Sequence, residues 1–208
     1  MSVGDAVHTG LNPGDPDRET HAVERGHLFG FWMFLMSDAV IFALLFATYG
    51  VMLPATAGGP TPASEYKIGP TFIETLLLLT SSLTYGMAAV TMKHGASNVR
   101  VGAWLGATLV LGLMFLAFEM HDFAEMFAHG AYPTRSGYLS AFFALVPLHG
   151  LHVLLGCLWM LVMLAQLRAF GIDAQVKINL LRLGLFWHFL DIVWIAIFST
   201  VYLPGLMR

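Results

Sequence analysis

Charged side chains are scarce in this sequence. Only 11% of its 208 residues are Asp, Glu, Lys or Arg, against 57% apolar ones, and the mean hydropathy is +0.72. That shortage excludes a water-facing surface of ordinary composition and places the chain in lipid. Cysteine is nearly absent as well: Cys157 stands alone, so no disulfide can form within the chain. The alternating pattern of a membrane β-barrel is missing, and so are a phosphate loop, a nucleophile elbow, a Cys-x-x-Cys pair and a transporter-type inverted repeat. The first 27 residues have no apolar centre followed by small residues, so no cleavable signal is expected. A net charge of −3 offers nothing to nucleic acid.

What the chain has is long apolar runs, at 29–53, 71–92, 101–120, 138–165 and 183–203. Each reaches the roughly 20 residues that carry a helix across about 30 Å of hydrocarbon. The expectation is an all-α polytopic membrane protein, a single bundle of five transmembrane helices over residues 28–208. Residues 1–27, with Asp5, Asp15, Asp17, Glu19 and Glu24, read as a polar disordered tail. His8, His21 and His27 within it share no ligand spacing and read as solvated.

Lys and Arg outside the runs divide unequally. Arg18, Arg25, Lys93, Arg100, Arg168, Lys177 and Arg182 fall on one side, and Lys67, Arg135 and Arg208 on the other. Seven against three predicts a cytoplasmic N-terminus and, after five spans, a periplasmic C-terminus. Trp32, Tyr49, Tyr138 and Tyr202 are expected as interfacial anchors.

Every run carries ionisable residues: Asp38, Glu74, Glu119, the pair His149 and His152, and the pair His188 and Asp191. Such groups are costly in hydrocarbon and should face one another, a cavity or a partner subunit. Asp38, in an otherwise apolar stretch, is the candidate buried carboxylate, with either a proton-handling or a structural role. His149 with His152, and His188 with Asp191, sit three residues apart and so share helix faces. They are expected to form an interhelical polar clamp in which a histidine of the fourth span binds Asp191. Haem ligation by His149 or His152 with His188, and a proton relay, are the other readings. Glu74 and Glu119 are expected to pair in an outer polar layer that reaches water, joined there by His121 and Asp122. His121, Asp122, Glu125 and His129 show no metal-ligand spacing, and no metal site is expected. Pro147 predicts a kink just above the histidines.

Packing signals are of two kinds. Gly102 and Gly106 form a small-xxx-small face that lets another helix approach. Thr80, Ser81, Ser82, Thr84 and Gly86 supply hydrogen bonds or space between helices in the second span.

Three strings together carry a resemblance: Leu35-Met36-Ser37-Asp38, His149-Gly150-Leu151-His152, and Phe186-Trp187-His188-Phe189-Leu190-Asp191-Ile192-Val193-Trp194. With Glu74-Thr75-Leu76-Leu77-Leu78 and Glu119 in order, the chain resembles subunit III of haem-copper respiratory oxidases from about 27 to 204. Leu45-Phe46-Ala47-Thr48-Tyr49 and Thr84-Tyr85-Gly86-Met87-Ala88-Ala89 look like the five-helix, bo-type ubiquinol oxidase branch. The resemblance implies a non-catalytic subunit of a proton-pumping terminal oxidase of the bacterial inner membrane. It implies partners in subunits I, II and IV, haems and copper held by subunit I and none here, and bound phospholipid. It also sets Asp38 at the position of the family's carbodiimide-reactive glutamate, with a shorter acid in its place. A cytochrome c oxidase is the neighbouring alternative, and a haem-binding membrane cytochrome is the alternative from another class.

Overall fold

The computed structural model describes residues 16–56, 68–95 and 97–203. His8, Lys67 and Arg208 lie outside these, as do the side chains of Arg18, His21, Arg25 and His27. Five helices are long and apolar enough to cross a bilayer, and the described residues contain no strand. They are α1 (Pro16–Met52), α2 (Ile68–Lys93), α3 (Asn98–Ala128), α4 (Gly137–Phe170) and α5 (Ala174–Ile197), which ends in a wide π-helical turn at Phe198–Tyr202.

Local sequence explains where these helices start and stop. Helix α1 begins at Pro16, so residues 16–27 are helical where the sequence suggested a disordered tail. Proline suits the first helical position, where its missing N–H costs nothing. The Ser136 side chain caps α4 by accepting the Leu139 amide proton at 3.1 Å, and Asp173 accepts from Ala174 N at 2.7 Å before α5. Gly171, at φ 73°, lets the chain turn sharply between these two helices. Helix α4 runs on through Pro147.

Helix α3 outlasts its apolar run by eight residues, ending at Ala128 instead of 120. Phe123 and Met126 remain buried there, and the Phe127 ring stacks on Phe143 of α4 at 5.2 Å, so an amphipathic extension follows the lipid-facing stretch. Glu119, expected to close the span, therefore sits inside the helix.

Helix α5 is the centre of the bundle and packs against α1, α2 and α4, while α3 lies between α2 and α4. Helix α1 leans on α4 and α5 from the outside. Its inward stripe is Leu35, Asp38, Phe42 and Tyr49, spaced at helical intervals. Val40, Leu44, Leu83, Val110, Leu151 and Ile192 are among many exposed apolar residues, as expected where the surrounding medium is hydrocarbon. Tyr49, Tyr138 and Tyr202 are buried and do not act as interfacial anchors: the Tyr49 and Tyr138 rings meet at 5.9 Å within the bundle. Trp32 is half exposed.

Candidate functional site

The buried polar groups fall into separate sets, placed by the faces of α4 and α5. On α4, His152 Nδ1 lies 2.8 Å from the carbonyl oxygen of Leu148, one turn back. Since that oxygen only accepts, Nδ1 carries the proton, and in a neutral ring Nε2 is bare. Nε2 faces Asp38 Oδ2 of α1 at 3.7 Å, too far for a hydrogen bond. Asp38 and His152 therefore face each other at ion-pair distance across the seam between α1 and α4. The Phe42 ring, 5.3 Å from His152, shields it.

The expected clamp between α4 and Asp191 is not formed. Asp191 Oδ2 instead stands 3.6 Å from Nδ1 of His188, on its own helix, and Nδ1 lies 2.8 Å from the Ser82 hydroxyl of α2. The reason lies in rotation: the carbonyl of Leu148 turns His152 toward α1, while Ser82 turns His188 toward α2. Asp38, read as isolated, is the acid that gains the histidine of α4.

His149 belongs to neither set. It is fully buried, stacked on Trp194 at 5.4 Å and met edge-on by Phe115 at 6.0 Å and Phe42 at 6.5 Å. Neither of its ring nitrogens has a hydrogen-bond partner among the described residues. With His149 enclosed by aromatic rings, His152 turned to α1 and His188 turned to α2, no two of these histidines face a common gap that would hold a haem. No group of three or more His, Cys, Asp or Glu residues is arranged for a metal ion among the described residues.

Glu74 and Glu119 are 1% and 3% exposed, which puts both inside the bundle. They come together electrostatically with each other, with Asp122 and with Tyr202 of the π-helical turn. Glu119 rests on Gly150 of α4, where an added Cβ would stand 2.5 Å from its Oε2.

Around these acids runs a lattice of neutral hydrogen bonds that sequence reading foresaw in part. Trp187 Nε1 donates to Ser81 Oγ at 3.0 Å, and Trp194 Nε1 to Thr75 Oγ1 at 3.1 Å, tying α5 to α2 twice. Tyr85 donates to the Leu180 carbonyl at 2.6 Å, and the Thr84 and Thr108 hydroxyls meet at 2.8 Å. Spacing alone does not mark the two tryptophans as donors; a Ser or Thr on a neighbouring span at matching depth is the signal that could have found them. Close approach is also made elsewhere than expected. A Cβ at Gly106 would touch nothing within 4 Å, whereas one at Gly112 would stand 2.8 Å from Trp187 Cη2, and one at Gly156 2.9 Å from Trp187 Cζ3. The tryptophan ring occupies the space that the two glycines leave.

Comparison with known proteins places this geometry. Residues 13–206 match the family described as cytochrome c oxidase subunit III. The chain is 48% identical over 187 residues to the cytochrome bo(3) ubiquinol oxidase subunit 3 of Pseudomonas aeruginosa, covering 89% of each. It is 45% identical over 180 residues to the protein of the same name from Pseudomonas putida, covering 86% of each. It is 37% identical over 195 residues to the cytochrome c oxidase subunit 3 of Bacillus sp. strain PS3, covering 94% of each.

Proposed function

The chain belongs to the cytochrome c oxidase subunit III family, and on that footing we propose that it is the third subunit of a terminal quinol oxidase, which passes electrons from quinol to dioxygen and exports protons. The observation that carries the quinol donor is the higher identity to relatives named for ubiquinol than to the relative named for cytochrome c. Haems and copper reside in subunit I, with subunits II and IV completing the complex, and this chain contributes assembly, lipid contact and support of proton uptake. Its N-terminus faces the cytoplasm and its C-terminus the periplasm of the inner membrane, by the distribution of Lys and Arg.

The geometry supports a supporting role over a catalytic one. Asp38 with His152 brings α1 against α4, and His188 reaches Ser82 of α2 from α5, so these polar groups serve contacts between helices. Asp38 is the residue through which this chain acts on proton uptake. A tagged preparation of the complex tests the donor: oxygen consumption with ubiquinol is expected, and turnover with reduced cytochrome c in place of quinol would overturn the reading. Asp38→Asn is expected to leave the complex assembled and to change its proton-to-electron ratio or its rate of turnover-linked inactivation. Identical values for variant and parent would leave Asp38 a structural acid.

A further inference from the structure

An apolar groove of about 360 Å³ lies between α2, α3 and α5, opened by the small side chains of Ala88, Ala89 and Gly184. It begins at Met92 and Val101, beside the turn that joins α2 to α3, and reaches His188 of α5. His188 lies seven residues beyond Leu181, a rise of about 10 Å, which is within the roughly 15 Å of one leaflet. Leu181, Leu185 and His188 are exposed, so the groove is open to the surrounding medium and not sealed within the bundle. In a bilayer that medium is acyl chain, as apolar as the leucines of the walls, and it fills an open apolar gap unless another occupant displaces it.

The rim of this groove is cationic. Lys93 ends α2 and follows Ala89 by four residues, and Lys177, in the first turn of α5, precedes Leu181 by four, so each shares a helix face with a residue of the groove. Arg100 stands in the first turn of α3, beside Val101. The three belong to one end of the bundle: a short turn joins α2 to α3, and Asn98 at the start of α3 lies against Gly171 in the turn before α5, its Nδ2 2.9 Å from where a Cβ would stand. None of the three has an ion-pair partner among the described residues, and Asp173, the acid at this end, is engaged in capping α5. Basic residues around a gap between transmembrane helices, at the surface where those helices end, suit a molecule with an anionic head and an apolar tail. A quinol is uncharged and leaves this rim unanswered. A neighbouring subunit would have to displace acyl chain and bring acids of its own, whereas the phosphate of a lipid meets the rim while its tail stays in the medium that the groove already faces.

We propose that this groove is a binding site for an anionic phospholipid, with its phosphate held by Lys93, Arg100 and Lys177 and one acyl chain lying along α5 from Leu181 toward His188. The inference rests on reading the chain as a lipid-contacting subunit and deepens that reading by naming the class of lipid and the residues that hold it; it is independent of the electron donor. Each basic side chain near the surface strengthens the binding of an anionic lipid about fivefold. A zwitterionic lipid, with no net charge, gains little from the same residues.

The test uses the intact complex in phosphatidylcholine nanodiscs with a trace of photoreactive phosphatidylglycerol or photoreactive phosphatidylcholine, each bearing a diazirine midway along one acyl chain. Phosphatidylglycerol is expected to label peptides of this chain spanning residues 85–92 and 180–188 at least about tenfold more than phosphatidylcholine does. Lys93→Gln and Lys177→Gln should each lower the phosphatidylglycerol label about fivefold and leave the phosphatidylcholine label unchanged, while Lys93→Arg should retain both. Both lysines are exposed, so these substitutions leave the packing of the helices intact. Ala89→Trp, which fills the groove, should remove the label of either lipid from these peptides. Equal labelling by the two lipids, or labelling indifferent to both lysines, would overturn the proposal. A neighbouring subunit cross-linked to residues 85–92 in place of lipid, or displacement of the lipid label by added ubiquinol, would do the same. Label found on this chain only outside these peptides would remove the site and keep the lipid contact, and a chain without any lipid label would remove both.

Discussion

Helices α1 and α5 carry similar apolar content and hold their places by different means. In the most apolar stretch of α5, 56% of residues are buried, against 17% in α1. Helix α5 is fastened by the Trp187 ring, whose shape is matched by absent side chains at Gly112 and Gly156, and by two indole hydrogen bonds to α2. Helix α1 has Leu35, Phe42 and Tyr49 and one polar contact, Asp38 facing His152 at 3.7 Å. Inside lipid, where burying apolar surface gives no advantage over leaving it in contact with acyl chains, shape and hydrogen bonds decide which helix is central. By that criterion α5 is the spine of the bundle and α1 its detachable edge.

The largest test of this contrast is Gly112→Ala, which places a methyl group 2.8 Å from Trp187. A destabilisation of about 2 kcal/mol is expected, read as a lower temperature of thermal inactivation of the purified complex. An unchanged value would mean that Trp187 is not the pin of α5. A smaller effect, about 1 kcal/mol, is expected from Asp38→Leu, localised to faster hydrogen exchange in α1. The double variant Asp38→Leu with His152→Leu should recover most of it, because the pair is replaced rather than broken. No recovery would show that the two residues act independently. The smallest effect belongs to Gly106→Ala, where the added Cβ meets nothing within 4 Å. Stability there should stay within about 0.5 kcal/mol or rise slightly through helix propensity, and a marked loss would reinstate the small-residue face as a packing surface.

The number of spans and their membrane character were legible because length and apolar content alone decide them. The Asp38 stripe was legible too, since an acid in an apolar run must turn inward. Which histidine meets which acid was not legible, because that depends on how far each helix is rotated about its own axis. For His152 and His188 the rotation is set by a backbone carbonyl and by a serine of a different span. The glycine motif misled for a related reason. Spacing identified Gly102, which does lie against Leu167 of α4, and Gly106, which faces nothing, but what makes a glycine necessary is the large ring opposite it, and the Trp187 ring faces Gly112 and Gly156. The extension of α3 past 120 escaped notice because polarity rises there while the helical period of Phe123 and Met126 continues.

Gly150 has one more implication. The carboxyl of Glu119 sits where a side chain at 150 would otherwise project, so the acid on α3 and the bare backbone on α4 occupy the same volume. Neither position is free to vary alone: a methyl at 150 would evict the acid, and a shorter residue at 119 would leave a hole against α4. The two sites are therefore expected to drift as a linked couple among descendants of this sequence, and a laboratory library that randomises one without the other should return almost only its starting residue.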